Sequence, residues 1–167
     1  MKNKKTFDVI IVGGGLAGLT SAIHLSKFEK QVLLIEKNAY PKHKVCGEYI
    51  SNEVLPYLNS LGIDPVKEGA KEISKVQITT TKSNLIKGEL PLGGFGISRY
   101  FLDDLLAKKA ISNGVVILQD SVDSVDFSEN VFTIQTNKSG AFQSKTCIGA
   151  FGKRSTLDVK MNRKFIL

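Results

Sequence analysis

Two short apolar runs near the N-terminus predict buried strands of a parallel sheet. Phe7–Val12 and Gln31–Glu36 are rich in valine, isoleucine and leucine and are too short for helices, which is typical of strands covered on both faces. The segment between them predicts a helix with Leu19, Ala22 and Ile23 on one face. The order of strand, helix and strand indicates an α/β fold.

The later hydrophobic pattern predicts two further helices and a series of short strands. One helix runs from Ser51 to about Leu61, with a kink or a restart at Pro56, and the other runs from an N-cap at Ser98 to Asn113. The predicted strands cover residues 76–81, 85–90, 115–118, 122–127, 131–136, 141–145 and 146–150. Residues 76–81 and 85–90 form a hairpin, which a flexible glycine-rich connection follows. Residues 122–127, 131–136 and 141–145 form an antiparallel meander, and residues 146–150 form a central strand.

Glycines at the first strand–helix connection form a G-x-G-x-x-G motif. Gly13 permits a tight turn, Gly15 leaves room for a pyrophosphate, and Gly18 lets the helix pack closely. The helix start offers free N–H groups and a positive dipole end to an anion. Glu36 ends the second strand, where a carboxylate accepts hydrogen bonds from adenosine ribose hydroxyls and disfavours a 2′-phosphate. The motif therefore predicts a dinucleotide site, the alternative being a glycine turn without a ligand.

A long polar segment, KNAYPKHKVCGEYIS, follows Glu36. Segments of this length without regular structure are often functional. Lys42 and Lys44 either face phosphates or lie in solvent, and His43 either transfers protons or is a solvated loop residue. Cys46 and its glycine neighbour would bring a small residue and a flexible backbone close to a ligand.

Composition is that of an ordinary soluble globular protein of 167 residues, with 42% hydrophobic and 23% charged residues. The net charge of +7 is spread along the chain without interleaved aromatic residues, so no nucleic-acid partner is expected. Apolar runs are too short for a membrane span or a signal peptide. The two cysteines form neither a disulfide framework nor a metal motif, and the expected location is the cytoplasm.

The order of these elements resembles the FAD-dependent oxidoreductases of the para-hydroxybenzoate hydroxylase type, and the segment YPKHKVCGEYIS is similar to the geranylgeranyl reductase family. The resemblance implies a Rossmann-like FAD-binding fold with a parallel sheet, a β-meander crossover and an inserted hairpin from a truncated substrate domain. Residues 1–167 would then be the FAD-binding, N-terminal part of a larger flavoenzyme. Residues 73–97 would begin an excursion into the substrate domain.

The same resemblance implies a set of FAD-binding positions. The first fingerprint would hold the pyrophosphate, Glu36 the adenosine ribose, and the backbone of Val122 the adenine. Arg99 would lie near the FAD phosphates and ribityl chain, its alternative being a surface arginine at a helix start. The complete implied set is Gly13, Gly15, Ala17, Gly18, Glu36, Lys37, Lys44, Cys46, Gly47, Tyr49, Arg99, Val122, Gly149 and Gly152. No catalytic residue and no metal ligand is assigned.

The chain departs from the family pattern at its second fingerprint, Gly-Ala-Asp-Gly. Phe151 replaces the aspartate, which argues against the usual way of binding NADPH. Whether NAD(P)H is the electron donor is therefore left open by the sequence. The family's later Gly-Asp motif would lie beyond Leu167, so an incomplete catalytic centre is expected.

Three functions stay open from the sequence. The first is a flavin reductase transferring hydride to an isoprenoid or other apolar substrate, and the second is a flavin monooxygenase or halogenase. The third is a non-catalytic, truncated nucleotide-binding module. A lipid substrate would bring peripheral membrane contact, and the sequence leaves the substrate and oligomeric state undetermined.

Overall fold

The computed structural model describes residues 5–153 and 155–161, and the chain divides into two compact units. The first unit combines Met1–Lys42 with Asp103–Leu167, and the second is His43–Leu102. The elements, in chain order, are β1 (Lys5–Val12), α1 (Leu16–Ser26), β2 (Val32–Glu36), β3 (Tyr49–Ser51), α2 (Leu55–Ser60), β4 (Lys71–Thr79), β5 (Leu85–Gly96), α3 (Arg99–Ser112), β6 (Val116–Gln119), β7 (Val122–Ser128), β8 (Val131–Thr136), β9 (Ala141–Gly149) and α4 (Leu157–Lys160).

The described part of the first unit is built on a six-stranded sheet in the order β6-β2-β1-β9-β8-β7. Strands β6, β2, β1 and β9 pair in parallel, whereas β8 and β7 continue the sheet as an antiparallel meander. This arrangement confirms the Rossmann-like α/β fold predicted from the sequence. The carboxyl ends of β1 and β2 lie side by side, because Val12 is paired with Ile35.

Burial on both faces explains why β1 and β2 are continuous apolar runs. Ile10 and Ile11 point to opposite faces of the sheet, and both side chains are fully buried. One face carries a cluster in which Ile10 meets Ile134 and Phe142. Each such side chain contributes about 1.5–3 kcal/mol by leaving water, so the central strands are held firmly in register.

The predicted break between residues 145 and 146 is wrong, because Ala141–Gly149 is a single strand. Its first half pairs antiparallel with β8, as Ile134 opposite Phe142 shows, and the strand also pairs in parallel with β1, from Lys5 opposite Phe142 to Val12 opposite Gly149. One strand thus belongs to both the meander and the parallel sheet. Because the partner changes along the strand, the hydrophobic pattern changes with it, and the local sequence therefore predicts two elements instead of one.

The second unit contains, among its described residues, a three-stranded antiparallel sheet in the order β3-β5-β4. The predicted hairpin is present but longer than expected, because β4 begins at Lys71 and β5 continues to Gly96. Residues 92–96, which the sequence predicts as part of a flexible connection, therefore lie in a strand. At its tip the hairpin exposes apolar side chains, including Ile78 at 58% and Ile86 at 68%.

Both helix starts in the second unit test the predicted caps. The expected helix from Ser51 is instead a 3-10 turn, Asn52–Val54, followed by α2, and Ser51 makes no side-chain cap hydrogen bond. Pro56 lies in the first turn of α2, where its missing N–H leaves no bond unmade. Of the two predicted alternatives, the restart is therefore confirmed and the kink is wrong. The Ser98 cap is confirmed, since the N–H of Phe101 donates to Ser98 Oγ at 3.2 Å.

Across residues 5–153 and 155–161, no helix combines the length and apolar character needed to cross a bilayer.

Candidate functional site

The turn between β1 and α1 requires glycine at its first position. The N–H of Gly13 donates to the carbonyl of Ile35 at 2.8 Å, and its φ of +106° belongs to a region that L side chains rarely adopt. A Cβ at this position would lie 2.5 Å from the carbonyl oxygen of Ala150. The turn is therefore held against both neighbouring strands.

The start of α1 packs on this turn and leaves its end open. A Cβ on Gly18 would overlap the carbonyl oxygen of Gly13, so only glycine lets the helix approach this closely. Gly15 is the N-cap residue, and its carbonyl accepts the first helical bond, from Leu19 N–H at 2.9 Å. Among the described residues no side chain caps this end, and the first turn holds no acidic residue. The N–H groups of the first turn thus remain available to an anion.

Gly14, which the motif leaves unspecified, is held by side chains at both of its backbone groups. Its N–H donates to Glu36 Oε2 at 2.7 Å, and its carbonyl accepts from the Tyr40 hydroxyl at 2.5 Å. A Cβ on Gly14 would overlap that hydroxyl and lie 2.8 Å from Glu36 Cβ. Sequence reasoning missed Gly14 and Tyr40, because only the folded-back connection after β2 brings them together.

Glu36 is buried, with 8% of its surface exposed, at the end of β2. Its Oε1 accepts from Asn38 N–H at 3.0 Å, from Asn38 Nδ2 at 3.1 Å and from Lys42 Nζ at 2.7 Å. Burial alone would raise its pKa, but the hydrogen bonds from Lys42, Asn38 and Gly14 outweigh burial and hold the pKa below the ordinary value. The side chain is consequently a carboxylate at neutral pH.

Tyr40 and Lys42 complete this cluster. Burial, together with the negative charges of Glu36 and Asp103, raises the pKa of Tyr40 well above its ordinary value, so its hydroxyl keeps the proton that it donates to Gly14. The ammonium of Lys42 lies 4.8 Å from the centroid of the Tyr40 ring, within the range of a cation–π contact. Of the two expectations for Lys42, phosphate contact or solvent exposure, the structure supports neither, because its ammonium is paired with Glu36.

The second glycine segment lies beside the first. Ala150 N–H donates to the carbonyl of Val12 at 2.8 Å, and the Cα of Phe151 lies 2.7 Å from where a Cβ of Gly13 would be. The Phe151 ring covers Gly149, since a Cβ there would lie 2.9 Å from ring atom Cε1. The side chain that replaces the family's aspartate is therefore an apolar ring packed against its own strand end.

The other predicted site residues are divided between the units. In the first unit Ala17 and Lys37 are exposed, Val122 is half-buried at the start of β7, and Gly152 is exposed. In the second unit the exposed positions are Lys44, Cys46, Gly47 and Tyr49, while Arg99 is buried at the first residue of α3. The N–H of Glu48 donates to Cys46 Sγ at 3.4 Å, and the Tyr49 hydroxyl donates to the Gly93 carbonyl at 3.1 Å. His43 is an exposed residue whose ring lies 4.5 Å from that of Tyr100, centroid to centroid.

Asp120 is a buried carboxylate that sequence reasoning did not single out. Its backbone N–H donates to the carbonyl of Glu36 at 3.0 Å, and its side chain accepts from the N–H groups of Ser121, Lys138 and Ser139 at 2.7, 3.1 and 2.8 Å. Burial raises its pKa, but the hydrogen bonds from Ser139, Ser121 and Lys138 lower it to about 2. Asp120 therefore ties the β8–β9 turn to the strand end next to Glu36.

The first unit fits the adenosine diphosphate half of a dinucleotide. The open N-terminus of α1 suits a pyrophosphate, and Glu36 Oε2, which carries one donor among the described residues, still has acceptor capacity for a ribose hydroxyl. In the part of the chain that the structure describes, no group of three or more His, Cys, Asp or Glu side chains could hold a metal ion.

A parallel sheet, a glycine turn opening a helix and an acidic residue ending the next strand define a Rossmann-type dinucleotide-binding fold. The chain belongs to the family described as pyridine nucleotide-disulphide oxidoreductase, whose sequence profile matches residues 7–162. This profile, together with the relatives described next, confirms the resemblance to FAD-dependent oxidoreductases that include geranylgeranyl reductases.

Two curated relatives and one solved structure illustrate the similarity. The chain is 27% identical to the digeranylgeranylglycerophospholipid reductase of Methanococcus vannielii over 161 residues, covering 92% of this chain and 40% of that protein. It is 27% identical to an FAD-dependent monooxygenase of Talaromyces verruculosus over 176 residues, covering 98% of this chain and 36% of that protein. The structure of a geranylgeranyl bacteriochlorophyll reductase-like protein of Thermoplasma acidophilum has a TM-score of 0.81 at 23% identity, covering 99% of this chain and 44% of that chain. The chain spans about two fifths of the length of the curated relatives it matches.

Proposed function

We propose that this chain binds the adenosine diphosphate half of FAD as part of a flavin-dependent oxidoreductase. The observation that carries the proposal is the glycine turn of Gly13, Gly14 and Gly15, which is joined to Glu36 by a 2.7 Å hydrogen bond and opens directly into a helix that no side chain of the described residues caps. Backbone N–H groups of the first turn of α1 would hold the pyrophosphate. Glu36 would accept a hydrogen bond from the adenosine ribose.

We include in the proposal the other FAD-binding positions that the family resemblance implies. In the first unit they are Ala17, Gly18, Lys37, Val122, Gly149 and Gly152. In the second unit they are Lys44, Cys46, Gly47, Tyr49 and Arg99. Arg99 is suited to phosphate because its guanidinium is a planar cation with five donors.

For the whole protein we favour reduction of an isoprenoid or other apolar substrate in the cytoplasm. Bound FAD would supply the hydride chemistry, while the protein positions it and excludes competing reactions. Similarity to an archaeal digeranylgeranylglycerophospholipid reductase supports this choice. A lipid substrate would require peripheral membrane contact. NAD(P)H is the proposed electron donor, although Phe151 offers it no hydrogen-bond acceptor at the second fingerprint.

A second candidate is an oxygen-using flavin monooxygenase or halogenase. It is supported by the similarity to a fungal FAD-dependent monooxygenase, which matches almost the whole of this chain. A non-catalytic nucleotide-binding module is the candidate of another class, and it would bind the adenine nucleotide without the flavin.

We also propose that residues 1–167 are the N-terminal, FAD-binding part of a larger flavoenzyme, with 73–97 as the start of its substrate domain. Two observations support this division. The chain spans about two fifths of the length of its curated relatives, and the β4–β5 hairpin within the second unit exposes Ile78 and Ile86, which a covering domain would bury.

Titration of the purified chain with FAD, ADP and FMN tests the proposal. FAD and FMN binding can be followed by the change in flavin fluorescence, and ADP binding can be measured by calorimetry. FAD and ADP should bind, whereas FMN, which lacks the adenosine, should not. Binding of ADP without FAD would favour the non-catalytic module, and binding of neither would refute the dinucleotide site.

A further inference from the structure

Donors are unevenly distributed over the Glu36 carboxylate. Among the described residues, Oε1 accepts from three donors, two on Asn38 and one on Lys42, whereas Oε2 accepts only from Gly14 N–H. A carboxylate oxygen has two lone pairs. Oε1 is therefore saturated, and Oε2 has room for one further donor.

An adenosine ribose presents two neighbouring hydroxyl groups, each able to donate and to accept. A carboxylate with one open position can satisfy only one of them. Because Oε1 is already saturated, the second hydroxyl needs another partner close to the same carboxylate, and a donor there can serve, since a hydroxyl oxygen also accepts.

Lys42 is the side chain that meets this requirement. Its Nζ lies 2.7 Å from Glu36 Oε1, and its side chain keeps 13% of its surface exposed beside 9% for that of Glu36. An ammonium has three N–H donors, of which the ion pair uses one. Contact with the Tyr40 ring, 4.8 Å from Nζ to the centroid, holds the otherwise flexible side chain beside the carboxylate.

We propose that Lys42 is a specificity-determining residue of the nucleotide site, donating to one ribose hydroxyl while Glu36 Oε2 accepts from the other. The inference rests on the proposed dinucleotide function and adds a residue to it. Glu36 and Lys42 then form a neutral acceptor–donor pair, which recognises a vicinal diol by complementary hydrogen bonds rather than by charge alone.

Binding of ADP, 2′-deoxy-ADP and 3′-deoxy-ADP to the purified chain and to its K42M variant tests the inference by calorimetry. With the wild-type chain each deoxy analogue should bind about tenfold more weakly than ADP, since each loses one hydrogen bond to a charged group. In K42M one of these two penalties should disappear while the other is retained. K42R should keep both penalties, because it retains a charged donor.

A merely structural role for Lys42 gives a different pattern. If Lys42 only orients Glu36, both deoxy penalties should shrink together in K42M, and this result would overturn the inference. Equal penalties in the wild type and K42M would overturn it as well. K30M, which removes an exposed lysine between α1 and β2, should match the wild type for all three nucleotides. Failure of the wild-type chain to bind ADP at all would instead refute the dinucleotide site itself.

Discussion

Replacement of Gly14 by alanine should destabilise the protein through a single added methyl group. The new Cβ would overlap the Tyr40 hydroxyl and lie 2.8 Å from Glu36 Cβ. Overpacking of this kind costs about 1–3 kcal/mol, and the displaced Tyr40 hydroxyl would lose its hydrogen bond to the Gly14 carbonyl, worth about 1 kcal/mol. We expect G14A to lower the free energy of unfolding by about 2–4 kcal/mol, with a fall in Tm of roughly 4–16 °C for a chain of this size.

Urea denaturation followed by far-UV circular dichroism measures this cost, and two further variants isolate its cause. G88A is the matched control, because a Cβ at Gly88 would make only an ordinary contact, 3.6 Å from Val76 Cγ1, and its unfolding free energy should stay within about 0.5 kcal/mol of the wild type. Y40F removes the hydroxyl that the new methyl group meets. In the Y40F background G14A should therefore cost at least about 1 kcal/mol less than in the wild type, a coupling that a double-mutant cycle detects.

Two results would refute the reasoning. One is a G14A variant as stable as G88A, which would mean that the connection after β2 moves aside at no cost. The other is an equal cost of G14A in the wild-type and Y40F backgrounds, which would mean that Tyr40 does not hold the turn.

The remaining predictions concern the two carboxylates, a helix glycine and the cysteines. E36A should weaken FAD binding about tenfold, and unchanged affinity would remove the ribose assignment. Hydrogen bonds lower the pKa of Asp120 to about 2, so the stabilising effect of this carboxylate is complete above its unfolded pKa of about 4 and is lost as the pH falls through about 2. In urea melts, the difference in unfolding free energy between the wild type and D120N should therefore shrink over that pH range. A difference that stays constant would contradict the assignment. The methyl group of G18A would overlap the backbone carbonyl of Gly13. In the same melts G18A should lower the free energy of unfolding more than G14A does, because a backbone carbonyl cannot rotate aside as the Tyr40 side chain can. Burial raises the pKa of Cys147 to about 11, whereas Cys46 is exposed, so alkylation at pH 8 should show one fast and one slow thiol. The C46S variant should lose the fast phase. Loss of the slow phase in C46S would contradict the assignment.

The sequence alone predicted the elements whose environment is uniform along their length. Strands β1 and β2 are buried on both faces, and so they appear as continuous apolar runs that need no knowledge of the partner. The G-x-G-x-x-G spacing is equally local, since the turn, the open helix end and the close helix packing are all set within six residues of chain. The Ser98 cap depends on a bond to Phe101 N–H, three residues away.

The predicted boundaries of elements were wrong where one strand pairs with two partners, or where pairing with neighbouring strands decides where a strand ends. Strand β9 pairs with β8 and with β1 at once, a role that local pattern divides into two elements. The hairpin extends through Gly94 because backbone pairing with Ile73 and Ser51 tolerates a residue of low strand propensity. At Pro56 the sequence left a kink and a restart open, and only the structure shows that α2 begins anew at Leu55 with Pro56 in its first turn.

The sequence by itself determined that a dinucleotide-type turn follows β1 and that an acidic residue closes β2, because both depend on short-range spacing. Only the tertiary structure decided how that acidic residue is used. The connection after β2 folds back, so that Tyr40 reaches Gly14 across 26 positions and Lys42 reaches Glu36. Such contacts depend on loop conformation and burial rather than on periodicity, and no pattern of hydrophobic and polar positions could have predicted that the carboxylate would be paired with a lysine.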